Sequence, residues 1–205
     1  MRGKVSIKTP TQIKAMRESC KFLALILADL EKYLEPGMST MDLEHKAEEL
    51  FKHYGVQPAF KGYHGYPNIL CTSVNDEVVH AIPNKIPMQK GDILSIDCGV
   101  IIDGMNSDSA IAAVVGGETL PEVQKFVDTC IKACWAGIAQ AKPGNHVGDI
   151  GHAVQTVVEA AGFSIIRELT GHGIGRLLHE PPYVCNYGNP GEGEELVPGM
   201  CIAIE

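Results

Sequence analysis

The chain carries an internal echo, and that echo limits its fold more than any other feature. Pro36 to Gly55 and Pro143 to Gly162 span the same nineteen steps, each opening on Pro-Gly and closing on glycine. Under a shift of 107 residues, Asp42 overlies Asp149, Leu43 overlies Ile150 and His45 overlies His152. Apolar Ala47, Leu50 and Phe51 overlie Val154, Val157 and Val158. Two unrelated helix–turn–helix units can share a stop signal; shared breakers together with a shared apolar phase are better explained by duplication. With the shift at 108, Gly91 overlies Gly199 and Ser95-Ile96-Asp97 overlies Ala203-Ile204-Glu205.

Each half reads as two helices followed by strands. Thr9-Pro10-Thr11-Gln12 offers an N-cap, a proline at the first helical position and a Gln at N3, opening a helix to about Leu34. A second helix runs from about Thr40 to Tyr54, with Gly55 as its stop. Strand-like segments follow near 57–60, 68–74 and 77–82. Later come a helix from Pro121 to about Ala141 and another ending at Gly162. Two hairpins from half-repeats 9–115 and 116–205 are expected to join as one curved antiparallel sheet, helices outside, within a single domain 1–205. The class is α+β, without βαβ alternation.

The best-defined hairpin is GDILSIDCGVIIDGMNSDSAIAAVV, residues 91–115. Asp103-Gly104 suits a two-residue primed turn, which needs positive φ at both central positions. Asp97 then lies opposite Ala110, and Asp97 and Asp108 project from one face as diagonal neighbours, roughly 7 Å apart at Cβ. Two carboxylates on an apolar sheet are costly unless paired or bound to a cation, and ordinary if that face is solvated. Both readings stand at this point.

Composition excludes several classes. A formal charge of −8 without a basic run gives no nucleic-acid signal. The longest apolar run, Phe22–Ala28, is too short to span a membrane, and MRGKVSIKTP is no signal peptide. Seven cysteines without a C-x-x-C pair suggest neither zinc knuckle nor disulfide framework and fit a reducing cytoplasm. Cys130 and Cys134, four apart on one helix, fit core packing.

Other polar residues cluster late. GHGIGRLLHE, residues 171–180, holds three glycines that let backbone approach closely, with His172 and His179 as neutral imidazoles suited to a divalent ion or a substrate oxygen. A lone histidine in such a loop is more often structural or solvated; His172 gains weight from the carboxylates it can join. Glu180 reads as a surface or salt-bridging residue. His80, in VNDEVVHAIP, fits a strand-end histidine bonded to backbone. GYHGYP, residues 62–67, sets Tyr63, His64 and Tyr66 on a glycine-hinged loop, as a pocket wall or a core cover.

Taken together, GYHGYP, VNDEVVHAIP, the two aspartates, GHGIGR with its following HE, and PGM-x3-IE make the chain resemble a bacterial-type (type I) methionine aminopeptidase of the pita-bread metallopeptidase family. The resemblance covers essentially all 205 residues. GHGIG alone also fits aminopeptidase P or prolidase, whose long N-terminal domain has no counterpart here. The resemblance implies two divalent metal ions (Co²⁺, Mn²⁺, Fe²⁺ or Zn²⁺) held by Asp97, Asp108, His172 and Glu205. It implies that His80 and His179 contact substrate and act in catalysis, that Glu205 serves as general base, and that Tyr63, Tyr66 and Cys71 line the methionine pocket. The substrate would be the N-terminal methionine of a peptide or nascent chain, met by a cytoplasmic monomer in transient association with the ribosome. The other reading is a non-catalytic pita-bread protein that binds a peptide or partner.

Two departures stand out. Leu178 replaces the aromatic that the family usually places before the second histidine, which would loosen the pocket. The duplication places a carboxylate partner of Asp108 on a return strand after Glu205, and the resemblance implies a metal-bridging glutamate there. The expectation is therefore a C-terminally incomplete chain with a weak second metal, impaired activity and an exposed sheet edge.

Overall fold

The computed structural model describes residues 3–205. The chain divides into two compact units, one formed by Lys14–Leu120 and the other by the residues up to Ile13 together with Pro121–Glu205.

The first unit opens with α1, Pro10–Tyr33, whose first turn belongs to the other unit, and α2, Thr40–Tyr54. At the start of α1 the Thr9 N–H donates to Gln12 Oε1 at 2.9 Å and the Gln12 N–H to Thr9 Oγ1 at 3.3 Å, the reciprocal cap that the sequence spells. Gly55 ends α2 in the left-handed region, φ 67. Leu23, Ile26, Leu27 and Leu30 of α1 and Leu43, Ala47, Leu50 and Phe51 of α2 are buried in one core with Leu94, Ile96, Cys98 and Val100. Those last four are alternate residues of strand β3, Ile93–Ile102. Period-two alternation thus puts the helices on one face and leaves Ser95, Asp97 and Gly99 on the other.

Strand β3 is the centre of a four-stranded antiparallel sheet. On one side it pairs with β4, Met105–Val114; on the other it meets β1, Gln57–Pro58, and β2, Leu70–Val74. Asp103 and Gly104, at φ 52 and 70, make the primed turn, and Asp97 lies opposite Ala110 as the turn requires. The segment expected as a strand at 77–82 is not one. Asn75 turns the chain at φ 54, and the ladder continues only through the Thr72 N–H to the Ala81 carbonyl at 3.0 Å. Val78, Val79 and Ile82 are exposed, so their apolar run marks a loop rather than a buried strand.

The second unit contains α3, Pro121–Ile138; α4, Val147–Ala160; and a three-stranded sheet of β5, Thr170–Gly173, between β6, Glu180–Cys185, and β7, Ile202–Ala203. Helix α3 stops three residues earlier than the periodicity suggests, in a turn that runs into Pro143. The C-terminal segment expected as a strand is the short β7, with His172 opposite Ala203.

The internal echo extends to individual hydrogen bonds. Ser39 bridges Pro87 in one unit and His146 bridges Glu195 in the other. The Gly37 and Met88 amides donate to Met88 and Met38 carbonyls, as the Gly144 and Leu196 amides donate to Leu196 and Asn145 carbonyls. Both second helices carry the same N3 aspartate on the cap backbone, Asp42 on Ser39 at 2.8 Å and Asp149 on His146 at 2.6 Å. The expected α+β class with antiparallel strands is what the chain forms. Among the described residues no helix is long and apolar enough to cross a membrane.

Candidate active site

In the first unit, register alone assembles three of the expected residues. Asp97 stands opposite Ala110 on β4 and opposite Cys71 on β2, and Gly99 stands opposite Asp108. Cys71, Asp97 and Asp108 therefore project from the face of the sheet away from the helical core. Both aspartates are half-buried, where like charges repel and a cation is favoured.

Tyr66 ties this face together. Its hydroxyl reaches the Leu70 carbonyl at 2.8 Å and the Ala81 carbonyl at 3.1 Å, so the segment just after His80 is tethered beside β2. His80 itself sits in the left-handed region, φ 59, with its side chain exposed rather than at a strand end. Tyr63 lies in a short 3₁₀ turn, its ring edge-on to His64 at 4.4 Å. Burial pushes the Cys71 thiol up to about 11; a hydrogen bond with Tyr66 opposes that rise, and the charges of Asp97, Asp108 and Glu44 add to it. Burial likewise pushes the Tyr66 hydroxyl well above its ordinary range. Cys71 and Tyr66 are therefore neutral groups and not nucleophiles at pH 7. Alkylation by iodoacetamide at pH 8, followed by peptide mapping, should label the exposed Cys20 at least ~100-fold faster than Cys71, because only the thiolate reacts.

In the second unit His172 is buried and its orientation is set by the backbone. Nδ1 lies 2.8 Å from the Gly173 carbonyl oxygen, which can only accept, so Nδ1 carries the proton. In the neutral ring Nε2 then presents a lone pair 3.1 Å from Glu205 Oε1. Two acceptors at that distance repel unless a proton or cation lies against them, so the pair fits a metal ion. The His179 ring stands edge-on to His172 at 4.3 Å. A side chain at Gly171 would strike the Ala203 carbonyl, so glycine is what allows β5 to lie this close to β7. Glu205 is approached from behind by α3, where the Cys134 thiol reaches the Ile204 carbonyl at 3.8 Å.

Two buried charges, Glu44 and Lys8, are not signalled by the expected site residues. Glu44, 3% exposed, accepts from the Ile69 N–H at 2.7 Å and the Leu70 N–H at 3.0 Å, fixing the start of β2 just before Cys71. Its signal was an acid inside the apolar stripe of α2. Glu180, expected at the surface or in a salt bridge, is in a salt bridge, a buried one with Lys8. Lys8 had no signal, since its partner lies 172 residues away.

Residues 14–205 match the model of metallopeptidase family M24. The chain belongs to metallopeptidase family M24. Among M24 proteins, the methionine aminopeptidase of Clostridium acetobutylicum is 43% identical over 202 residues, spanning 98% of this chain and 80% of its own. Methionine aminopeptidase 1 of Bacillus subtilis is 42% identical over 198 residues, spanning 97% of this chain and 79% of its own. The crystal structure of the Thermotoga maritima methionine aminopeptidase superposes with a TM-score of 0.95 at 42% identity, covering 98% of this chain and 81% of that one. The fold is thus the pita-bread fold of M24 metallopeptidases, and the chain is an M24 hydrolase allied to the methionine aminopeptidases.

Proposed function

We propose that the protein removes N-terminal methionine from peptides and nascent chains, the whole chain acting as one catalytic domain. The reading is carried by the His172 ring, whose proton is committed to a backbone carbonyl while its lone pair meets the Glu205 carboxylate. The substrate is inferred from relatives that are methionine aminopeptidases.

Asp97, Asp108, His172 and Glu205 would hold two divalent ions drawn from Mn²⁺, Fe²⁺, Co²⁺ or Zn²⁺, an oxygen-rich set with one imidazole suiting each of these. Bound there, such ions supply Lewis acidity for activating water and neutralising a developing oxyanion. Glu205 takes the water proton as general base and returns it to the leaving amine. His179 donates to the scissile carbonyl, and His80, on its exposed left-handed turn, supports the tetrahedral centre. Tyr63, Tyr66 and Cys71 receive the methionine side chain: neutral, apolar and sulfur-compatible walls discriminate against charged or polar first residues. The enzyme acts as a cytoplasmic monomer in transient contact with the ribosome, where initiator methionine is presented.

The test is release of free methionine from a Met-Ala-Ser peptide after titration with each divalent ion. We expect turnover with at least one ion and none with chelator present. Absence of divalent binding by calorimetry would favour a peptide- or partner-binding protein instead.

A further inference from the structure

The most unusual interaction outside the proposed chemistry is a buried ion pair. Lys8 Nζ lies 2.8 Å from Glu180 Oε2, with side-chain exposures of 2% and 8%. Both groups are fully engaged. Glu180 Oε1 accepts from the Leu177 N–H at 3.1 Å, and Lys8 Nζ also donates to the Ser6 carbonyl at 3.2 Å. Neither is left to exchange protons with a substrate.

The contacts have a pattern. Glu180 follows His179 directly and clamps the amide of Leu177 on its other side, so the turn that presents His179 is held at both ends. Within that turn the Gly175 N–H donates to the Leu177 carbonyl at 3.1 Å. Lys8 fits there because residue 175 lacks a side chain: a Cβ would stand 2.5 Å from Lys8 Cε and 2.8 Å from Glu180 Oε1. The backbone of Lys8 donates to the Gly199 carbonyl at 2.8 Å, at the turn leading into β7 and Glu205. The N-terminal arm thereby grips both segments that carry expected site residues. A buried ion pair contributes less to stability than a packed apolar pair of the same shape. What it supplies is register, since two charges tolerate few alternative placements in a low-dielectric interior.

We propose that Lys8 and Glu180 are positioning residues for His179, the N-terminal arm acting as a strap that fixes the 174–179 turn. The inference rests on the reading of His179 as donor to the scissile carbonyl. It would make residues well before the first metal ligand part of the catalytic geometry, although neither touches substrate.

Stability and positioning separate in a double variant. Lys8→Met alone and Glu180→Met alone each strand a buried charge and should lower the melting temperature. Lys8→Met with Glu180→Met replaces the pair by apolar side chains of similar length and should recover most of the melting temperature lost in either single variant, short of the cost of the unclamped Leu177 amide. Its kcat for a methionyl peptide should remain about 10- to 100-fold below the parent, with KM changed little. The His179 ring signals in a ¹H–¹⁵N spectrum should shift in the double variant. Parental kcat in the double variant, or an unmoved His179 signal, overturns the proposal. If the parent itself releases no methionine, the proposed function fails, and the His179 signal alone then decides the positioning role.

Discussion

Asp108→Asn should lower kcat/KM for a methionyl peptide by at least ~10³-fold while leaving the protein folded. The substitution keeps the shape of the side chain and removes its charge. If Asp108 binds cations jointly with Asp97, one negative charge fewer weakens that binding and blunts the Lewis acidity on which water activation depends. Stability should move the other way in chelated buffer. Asp97 and Asp108 project from one sheet face two residues out of register, where like charges repel by about 1 kcal/mol or less. The variant should therefore melt at or slightly above the parent's temperature. Calorimetric titration with Co²⁺ or Mn²⁺ should show the affinity loss directly. Near-parental turnover with normal metal affinity would remove Asp108 from the mechanism.

Glu44→Ala should cost about 4 kcal/mol of unfolding free energy, a large share of a small domain's total stability. Both carboxylate oxygens accept backbone amides, from Ile69 and Leu70, in a position almost closed to water. Removing the acid leaves two buried N–H groups without acceptors, at roughly 1–3 kcal/mol each, and opens a small cavity. Glu44→Gln should fall between, since a carboxamide has one acceptor oxygen where two are needed. The consequences reach the site face. Leu70 begins β2, its carbonyl accepts from Tyr66, and its neighbour Cys71 lies opposite Asp97. Urea denaturation measures the stability loss. A cost below ~1 kcal/mol would mean that water or a shifted backbone replaces the carboxylate.

Much of this protein is legible in its sequence because the deciding signals are local. The primed turn at Asp103-Gly104 sets every pair of the β3–β4 ladder, and the ladder puts Asp97 and Asp108 on one face without help from the rest of the chain. The Thr9–Gln12 cap and the Gly55 stop set helix ends for the same reason. The 77–82 segment misled because apolar alternation reports a preference for burial, and here β2 donates only one backbone bond to it, from the Thr72 N–H to the Ala81 carbonyl, while Val78, Val79 and Ile82 stay exposed. His80 consequently sits in the left-handed region, φ 59, and not at a strand end.

The amino-acid sequence by itself determined the helices, the hairpin and its turn, the repetition of one unit in the other, and membership of the M24 family through motifs spread over the chain. Tertiary structure alone decided how individual charges are used. Nothing near Lys8 says that it reaches Glu180, nothing near Glu44 says that it serves β2, and only the Gly173 carbonyl assigns the proton on His172. The reason is physical. Periodicity encodes which face a residue presents, because that follows from backbone geometry over a few residues. The partner it meets there depends on chain closure over long separations, and in a low-dielectric interior that partner sets what a charge can do. The two aspartates of the hairpin were therefore readable from the turn, whereas the tautomer of His172 was not.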